Sequence, residues 1–202
     1  MITAVLKGTA NLFGVEVRRR STTPAKPRFA PHPLPFGTLP IDLVLDVGAN
    51  KGQFARSLRE KGWRGKIISF EPLSDAYEAL VTNASDDPHW QVHPRCAVGA
   101  KPGTSVINIA GNSMSSSLLP MHETHQQAAP ESVYIGTEEI RMETLDRILP
   151  KYVKKPMNIH LKMDTQGFEK HVLDGAELSL NKLSSIQLEL SVRTLYEGSP
   201  LY

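Results

Sequence analysis

A chain of 202 residues, 40% hydrophobic and 22% charged, has room for one domain with an appended arm, and its composition argues against wholesale disorder. A formal net charge of +2 gives no reason to expect a nucleic-acid partner, and no apolar run approaches the roughly 18 to 20 residues of a membrane-spanning helix. The single cysteine, Cys96, excludes an internal disulfide framework and a cysteine-based zinc site; it fits a reducing, cytoplasmic setting, and the first residues lack the pattern of a signal peptide.

Residues 1–40 differ from the rest. Lys7, Arg18, Arg19, Arg20, Lys26 and Arg28 stand against Glu16 alone, and six prolines fall from Pro24 to Pro40. This predicts a basic arm with a short helix around Ala4–Val17, then an extended proline-rich connector, with Arg18–Arg20 solvated. The domain proper is expected over residues 41–202. Leu43–Val47 is a short apolar run ending in a glycine turn, as in a buried parallel strand. A helix carrying Phe54 and Leu58 follows and stops at Gly62. Lys66–Phe70 is a second strand, and Leu73, Ala76, Tyr77, Leu80 and Val81 make the stripe of a packed helix.

A third strand is predicted over Gln91–Val98, a fourth over Ile159–Asp164 and a fifth over Ser185–Leu190. A helix over Phe168–Asp174, ended by Gly175, joins the last two. Thr104–Ile109 and Glu139–Met142 read as extra short strands, the second leading into a helix with Leu145, Ile148 and Leu149 on one side. Between them Gly111–Ser132 is polar and long enough to be a lid or binding loop. The alternation predicts an α/β domain with a parallel sheet covered by helices on both faces.

The chemistry gathers at strand ends. Asp46-Val47-Gly48-Ala49-Asn50-Lys51-Gly52 places glycines where the backbone can approach a ligand, but its spacing is not the G-x-G-x-x-G of dinucleotide dehydrogenases. A pyrophosphate is repelled by a carboxylate such as Asp46, whereas an ammonium or sulfonium tolerates it. Glu71 lies where an acid in doubly wound folds accepts ribose hydroxyls, so the pair points to an adenosine-containing ligand. A nicotinamide oxidoreductase is disfavoured by the glycine spacing; a non-catalytic binding module remains open.

These residues, with Phe70-Glu71-Pro72, Asn112-Ser113…Ser116-Ser117-Leu118-Leu119, Glu143-Thr144-Leu145-Asp146 and Leu161-Lys162-Met163-Asp164-Thr165-Gln166-Gly167-Phe168-Glu169, resemble the FkbM family of S-adenosylmethionine-dependent methyltransferases. The likeness runs from about Leu43 to Tyr196. It implies a class I methyltransferase fold, Rossmann-like, with S-adenosylmethionine as cofactor. It also implies O-methylation of a sugar, glycolipid or secondary metabolite. Asp46, Gly48, Asn50, Gly52 and Glu71 are then assigned to the cofactor, with Ala97 and Val98, ending the third strand, flanking the adenine.

Along the fourth strand Ile159, Leu161 and Met163 point one way and His160, Lys162 and Asp164 the other. Ligands in such sheets sit beyond the carboxyl ends, so Asp164 is the candidate general base or hydroxyl orienter, set against a role in capping the next helix. His160 is expected to be a core histidine, and Lys162 to bond neighbouring loops or carboxylates. Glu189 is expected near Asp164, and Ser113, Ser116 and Glu189 are the acceptor candidates. His122 and His125 lack further ligands, so no metal site is assigned. A sheet of this class carries two more antiparallel strands beyond the fifth, yet only Ser191–Tyr202 follow. The expectation is a sheet lacking its last two strands, with Ile186, Leu188 and Leu190 at an edge open to self-association.

Overall fold

The computed structural model describes residues 34–189 and 191–199. Strand β1 (Leu43–Val47) is buried along its whole length, the condition of a central parallel strand. On one side lie β2 (Lys66–Phe70) and β3 (Trp90–Val92), on the other β7 (Ile159–Met163) and β8 (Leu183–Leu188). The order is β3-β2-β1-β7-β8, and every neighbouring pair is parallel.

Because side chains alternate along a strand, the two faces carry different cores. Leu43, Leu45, Val47, Ile68, Phe70, Ile159, Leu161 and Met163 face helix α4 (Leu145–Tyr152) through Leu145, Ile148 and Leu149, and α5 (Glu169–Asp174) through Val172. Val44, Ile67 and Trp90 face α1 (Gln53–Glu60) through Ala55 and Leu58, and α2 (Ser74–Ala84) through Leu80 and Ala84. Helices therefore cover both faces, as the alternation predicts. In α2 the buried row is Ala76, Leu80 and Ala84, while Val81 is exposed.

The predicted third strand Gln91–Val98 is two strands. The amide of His93 makes a last bond to the Ser69 carbonyl at 2.9 Å, and Pro94 then offers no N–H to continue the ladder. The chain bends, and Ala97–Val98 becomes β4 of a second sheet. There it pairs in parallel with β6 (Tyr134–Glu143), which also pairs antiparallel with β5 (Gly103–Ala110). Glu138 of β6 ties this sheet to the start of α2: it accepts from the amide and hydroxyl of Ser74, both at 3.2 Å, and pairs with Arg95.

Three further differences concern loops and ends. The polar segment 111–132 carries helix α3 (Glu123–Ala128) and a short 3-10 turn at Pro130–Ser132, both fixed by local hydrogen bonds. Residues 34–40, assigned to an extended connector, instead make a turn that buries Phe36 against Trp63 and His160 at centroid distances of 5.6 and 5.2 Å. The predicted helix at Ala4–Val17 lies outside the described residues. The fifth strand starts two residues earlier than predicted, at Leu183. Among the described residues β8 pairs only with β7, leaving Ile186 exposed while Leu188 packs on the main core; Leu190 lies outside the described residues. Beyond β8 the chain turns back, and Tyr196 bridges to Met121. Among the described residues no helix is long and apolar enough to cross a membrane.

His160 is the core histidine the strand alternation predicts. It is 1% exposed, its Nδ1 lies 2.8 Å from the Ser185 hydroxyl, and burial pushes its pKa down to about 4. A depressed folded-state value means that its contribution to stability is complete above the ordinary histidine range, near 6.5, and is lost as pH falls toward 4. His160→Leu is expected to abolish this acid-side loss, on the order of 3 kcal/mol, in urea denaturation measured from pH 7 to pH 4. An unchanged slope between the two proteins contradicts the neutral, buried assignment.

Candidate active site

The parallel register sets a polar row on the face covered by α1 and α2. Asp46 of β1 stands beside Ser69 of β2 and Lys162 of β7. The Trp90 indole donates to the Ser69 hydroxyl at 2.9 Å, and Ser69 donates to Asp46 Oδ2 at 3.4 Å. Lys162 Nζ lies 3.1 Å from Asp46 Oδ1, donates to the Gly48 carbonyl at 3.1 Å and stands 3.9 Å from Asp164 Oδ2. The row thus crosses four strands. Burial alone pushes the Lys162 ammonium down, but Asp46, Asp164 and Glu71 outweigh it and hold its pKa above the ordinary value.

Asp46 is 0% exposed, its carboxylate bonded by Lys162 and Ser69. The two glycines of the turn after β1 have internal reasons. A Cβ on Gly48, at φ 73, lies 2.0 Å from the Asp164 carbonyl oxygen; one on Gly52, at φ 83, lies 2.5 Å from the Trp90 ring. Gly48 thereby joins the turn after β1 to the turn after β7.

Every backbone donor in the turn is spent. Gly48 and Ala49 donate to the Phe70 carbonyl at 3.1 and 3.0 Å, and Gly52 donates to Ala49 at 2.8 Å. Asn50, at φ 48, donates its amide to Glu71 Oε2 at 2.7 Å, and its own Oδ1 accepts the Lys51 amide at 2.8 Å. Within Gly48–Gly52 itself a pyrophosphate finds no free N–H. Glu71 is 4% exposed and accepts from Asn50 on one oxygen and from Leu73 on the other, at 3.0 Å. Burial pushes its pKa up to about 7 against those two bonds. Each oxygen keeps a further lone pair for a ligand hydroxyl.

Asp164 follows β7, 41% exposed at the side chain, with its amide bonded to the Val47 carbonyl at 3.1 Å. It does not cap α5, whose N-cap Phe168 makes no side-chain bond; Glu169 instead ties the preceding turn, its Oε1 accepting from the Thr165 amide and hydroxyl and from the Gly167 amide. Asp164 Oδ1 accepts instead from Gln166 Nε2 at 2.6 Å, and the same nitrogen donates to Glu189 Oε2 at 3.3 Å. One amide therefore gathers the two carboxylates expected to be neighbours. Gln166 gave no signal beyond its place in the same turn. Tyr196, which bonds Gln166 from 30 residues away, gave none.

Other candidates lie elsewhere. Ala97 and Val98 do not end a strand of the main sheet. Ala97 packs among Leu73, Ala76, Ile107 and Ile140, and Val98 joins the core on the α4 face. The Ser116 hydroxyl accepts from the Ala110 amide at 3.0 Å, which supports the end of β5, and Ser113 sits beside it at φ 55. Asn112, Ser115 and Ser132 form a closed knot, each contact at 3.0–3.1 Å. Asp146 accepts from Leu178 and Ser179 and ties α4 to the segment after α5. Among the described residues no group of three or more His, Cys, Asp or Glu is arranged to hold a metal ion.

Comparison with known proteins supplies one match. The family model described as the methyltransferase FkbM domain covers residues 46–202, more than half of the chain, and the chain belongs to that family. No curated protein and no solved structure matches it.

The raised pKa of Glu71 makes a stability statement of opposite sign to that of His160. A folded-state value near 7 against 4.5 means stability is complete below 4.5 and is lost as pH rises to about 7, by on the order of 3 kcal/mol. Glu71→Gln is expected to remove that loss. Chemical denaturation of both proteins between pH 4.5 and 8 reads it as a difference, which cancels the opposing histidine slope; parallel curves contradict the assignment.

Proposed function

We propose that this member of the methyltransferase family uses S-adenosylmethionine to methylate a hydroxyl oxygen of a sugar, glycolipid or secondary metabolite. The observation that carries the reading is the charge balance at the carboxyl ends of β1, β2 and β7. Asp46, Glu71 and Asp164 act on a single buried ammonium, Lys162, while the turn offers no free backbone donors. Such a cleft favours a cation and disfavours a phosphate.

When bound, the cofactor supplies an electrophilic methyl group on a sulfonium. Glu71 accepts hydrogen bonds from the ribose hydroxyls through its unused lone pairs, and Asn50 keeps that carboxylate in place. The Asp46–Lys162 pair holds the Gly48 turn from beneath. Asp164 is the exposed acid of the set; it aligns the acceptor hydroxyl, takes its proton and releases that proton to solvent.

Calorimetry is expected to show binding of S-adenosylmethionine and of its demethylated product in preference to NAD. Glu71→Ala should weaken that binding roughly 10- to 150-fold, the cost of about 1.5 to 3 kcal/mol for hydrogen bonds to a charged group. Wild-type affinity should also rise as pH passes through about 7, because ionised Glu71 is the better acceptor, and Glu71→Gln should flatten that rise. Preference for NAD, or no binding by the folded wild type, overturns the reading.

An acceptor screen across sugars, glycolipids and polyketides then allows the base to be tested. Asp164→Asn should cut kcat by roughly 10²- to 10⁴-fold with cofactor affinity unchanged. Wild-type turnover in that variant removes Asp164 from the chemistry.

A further inference from the structure

The turn after β7 holds an unusual residue for a reason that methyl transfer alone does not supply. Gln166 has φ 55, in the left-handed region that non-glycine residues rarely occupy. Its carbonyl accepts from the Ser117 hydroxyl at 2.8 Å, and its side chain is bonded by Tyr196, on the chain segment that turns back beyond β8. Tyr196 is 2% exposed, and its ring stands edge-on to His125 at 5.2 Å. Its hydroxyl donates to Gln166 Oε1 at 2.8 Å, with the Ser115 carbonyl as a second acceptor at 3.1 Å. Burial, with Tyr134 nearby, holds the phenol well above its ordinary pKa, so the group stays a donor.

The two ends of the Gln166 amide are thereby distinguished. Nε2 faces Asp164 Oδ1 at 2.6 Å and Glu189 Oε2 at 3.3 Å. Turning the amide over sets its carbonyl oxygen against two carboxylates and its NH₂ against the phenol. The two carboxylates select the orientation with Nε2 toward them, and the phenol then donates to the Oε1 that this orientation presents. Oδ1 of Asp164 is then held, and Oδ2 takes no bond from Gln166 and stands 3.9 Å from Lys162 Nζ.

We propose that Tyr196 and Gln166 form a positioning relay that fixes the Asp164 carboxylate, with Oδ2 as the oxygen that receives the acceptor's proton. The proposal rests on the methyl-transfer reading of Asp164. Neither residue touches the reacting atoms. The relay also makes Asp164 answer to two distant segments, since the same phenol bonds the Ser115 loop and belongs to the returning segment.

Two readouts on the full chain test it. In ¹⁵N-labelled protein, Tyr196→Phe keeps the buried ring and removes only the hydroxyl; the Gln166 side-chain amide signals are expected to move toward the free-amide position and exchange faster. In turnover assays Tyr196→Phe and Gln166→Met should each lower kcat about 10- to 100-fold, with affinity for S-adenosylhomocysteine unchanged. Adding Tyr196→Phe to Asp164→Asn should cost nothing more, an outcome a merely structural role does not produce. Amide signals unchanged in Tyr196→Phe, or full turnover in either single variant, overturns the relay. If Tyr196→Phe does not fold, Gln166→Met, which leaves the phenol and its Ser115 contact in place, decides it. Absence of cofactor binding by the wild type overturns the methyl-transfer reading instead, and the amide spectrum still decides the relay.

Discussion

One buried ammonium constrains the centre of this molecule. Lys162 sits between β1 and the turn after β7, paired with a fully enclosed Asp46 and bonded to the carbonyl of Gly48. Taking either charge out of water unpaired costs several kcal/mol, so the two strands must keep the register that brings them together. A slip of one residue in β7 would turn Lys162 into the apolar face shared with α4 and leave Asp46 alone. The contact of Gly48 with the Asp164 backbone follows from that register, because only it brings the two turns to touching distance.

In the proposed function, the preference for a cationic ligand comes from this arrangement. The carboxylates outnumber the ammonium, and the turn between β1 and α1 has consumed its own backbone donors. The amides of Gly48–Gly52 bond within the protein, and Glu71 and Asp164 add acceptors beside them. The second sheet contributes at a distance. Glu138 holds the start of α2 and Arg95 bonds the Pro72 carbonyl, fixing the segment that follows Glu71. In Asn112…Leu119 and Glu143–Asp146, Asn112 bonds Ser132, Ser117 donates to the Gln166 carbonyl, Thr144 caps α4 and Asp146 accepts from Ser179.

Much of the main sheet was legible because fully buried parallel strands leave short apolar runs ending in turns. Leu43–Val47 and Lys66–Phe70 match the strands to the residue, and the alternation along Ile159–Asp164 separates the two faces of that strand. The third strand failed because Pro94 interrupts a run that is apolar on both sides, and hydropathy does not see a missing N–H. Ala97 and Val98 fall beyond that break, in the second sheet. Asp46 and Glu71 were recognised as a pair, but the demand that Gly48 and Gly52 answer came from Asp164 and Trp90, contacts between residues distant in sequence. Tyr196 was invisible for the same reason: nothing near position 196 announces a bond to Gln166.

The central claim is that the Asp46–Lys162 pair holds the site turn as a unit, and a double-mutant cycle in chemical denaturation tests it directly. Lys162→Met strands the buried Asp46 carboxylate, Asp46→Leu removes the nearest carboxylate from the Lys162 ammonium, and each should lose roughly 3 to 5 kcal/mol. The double variant, with no charge left to strand, should lose far less than the sum of the two. Strictly additive losses would contradict the account, because they would mean that the two side chains stabilise the fold independently.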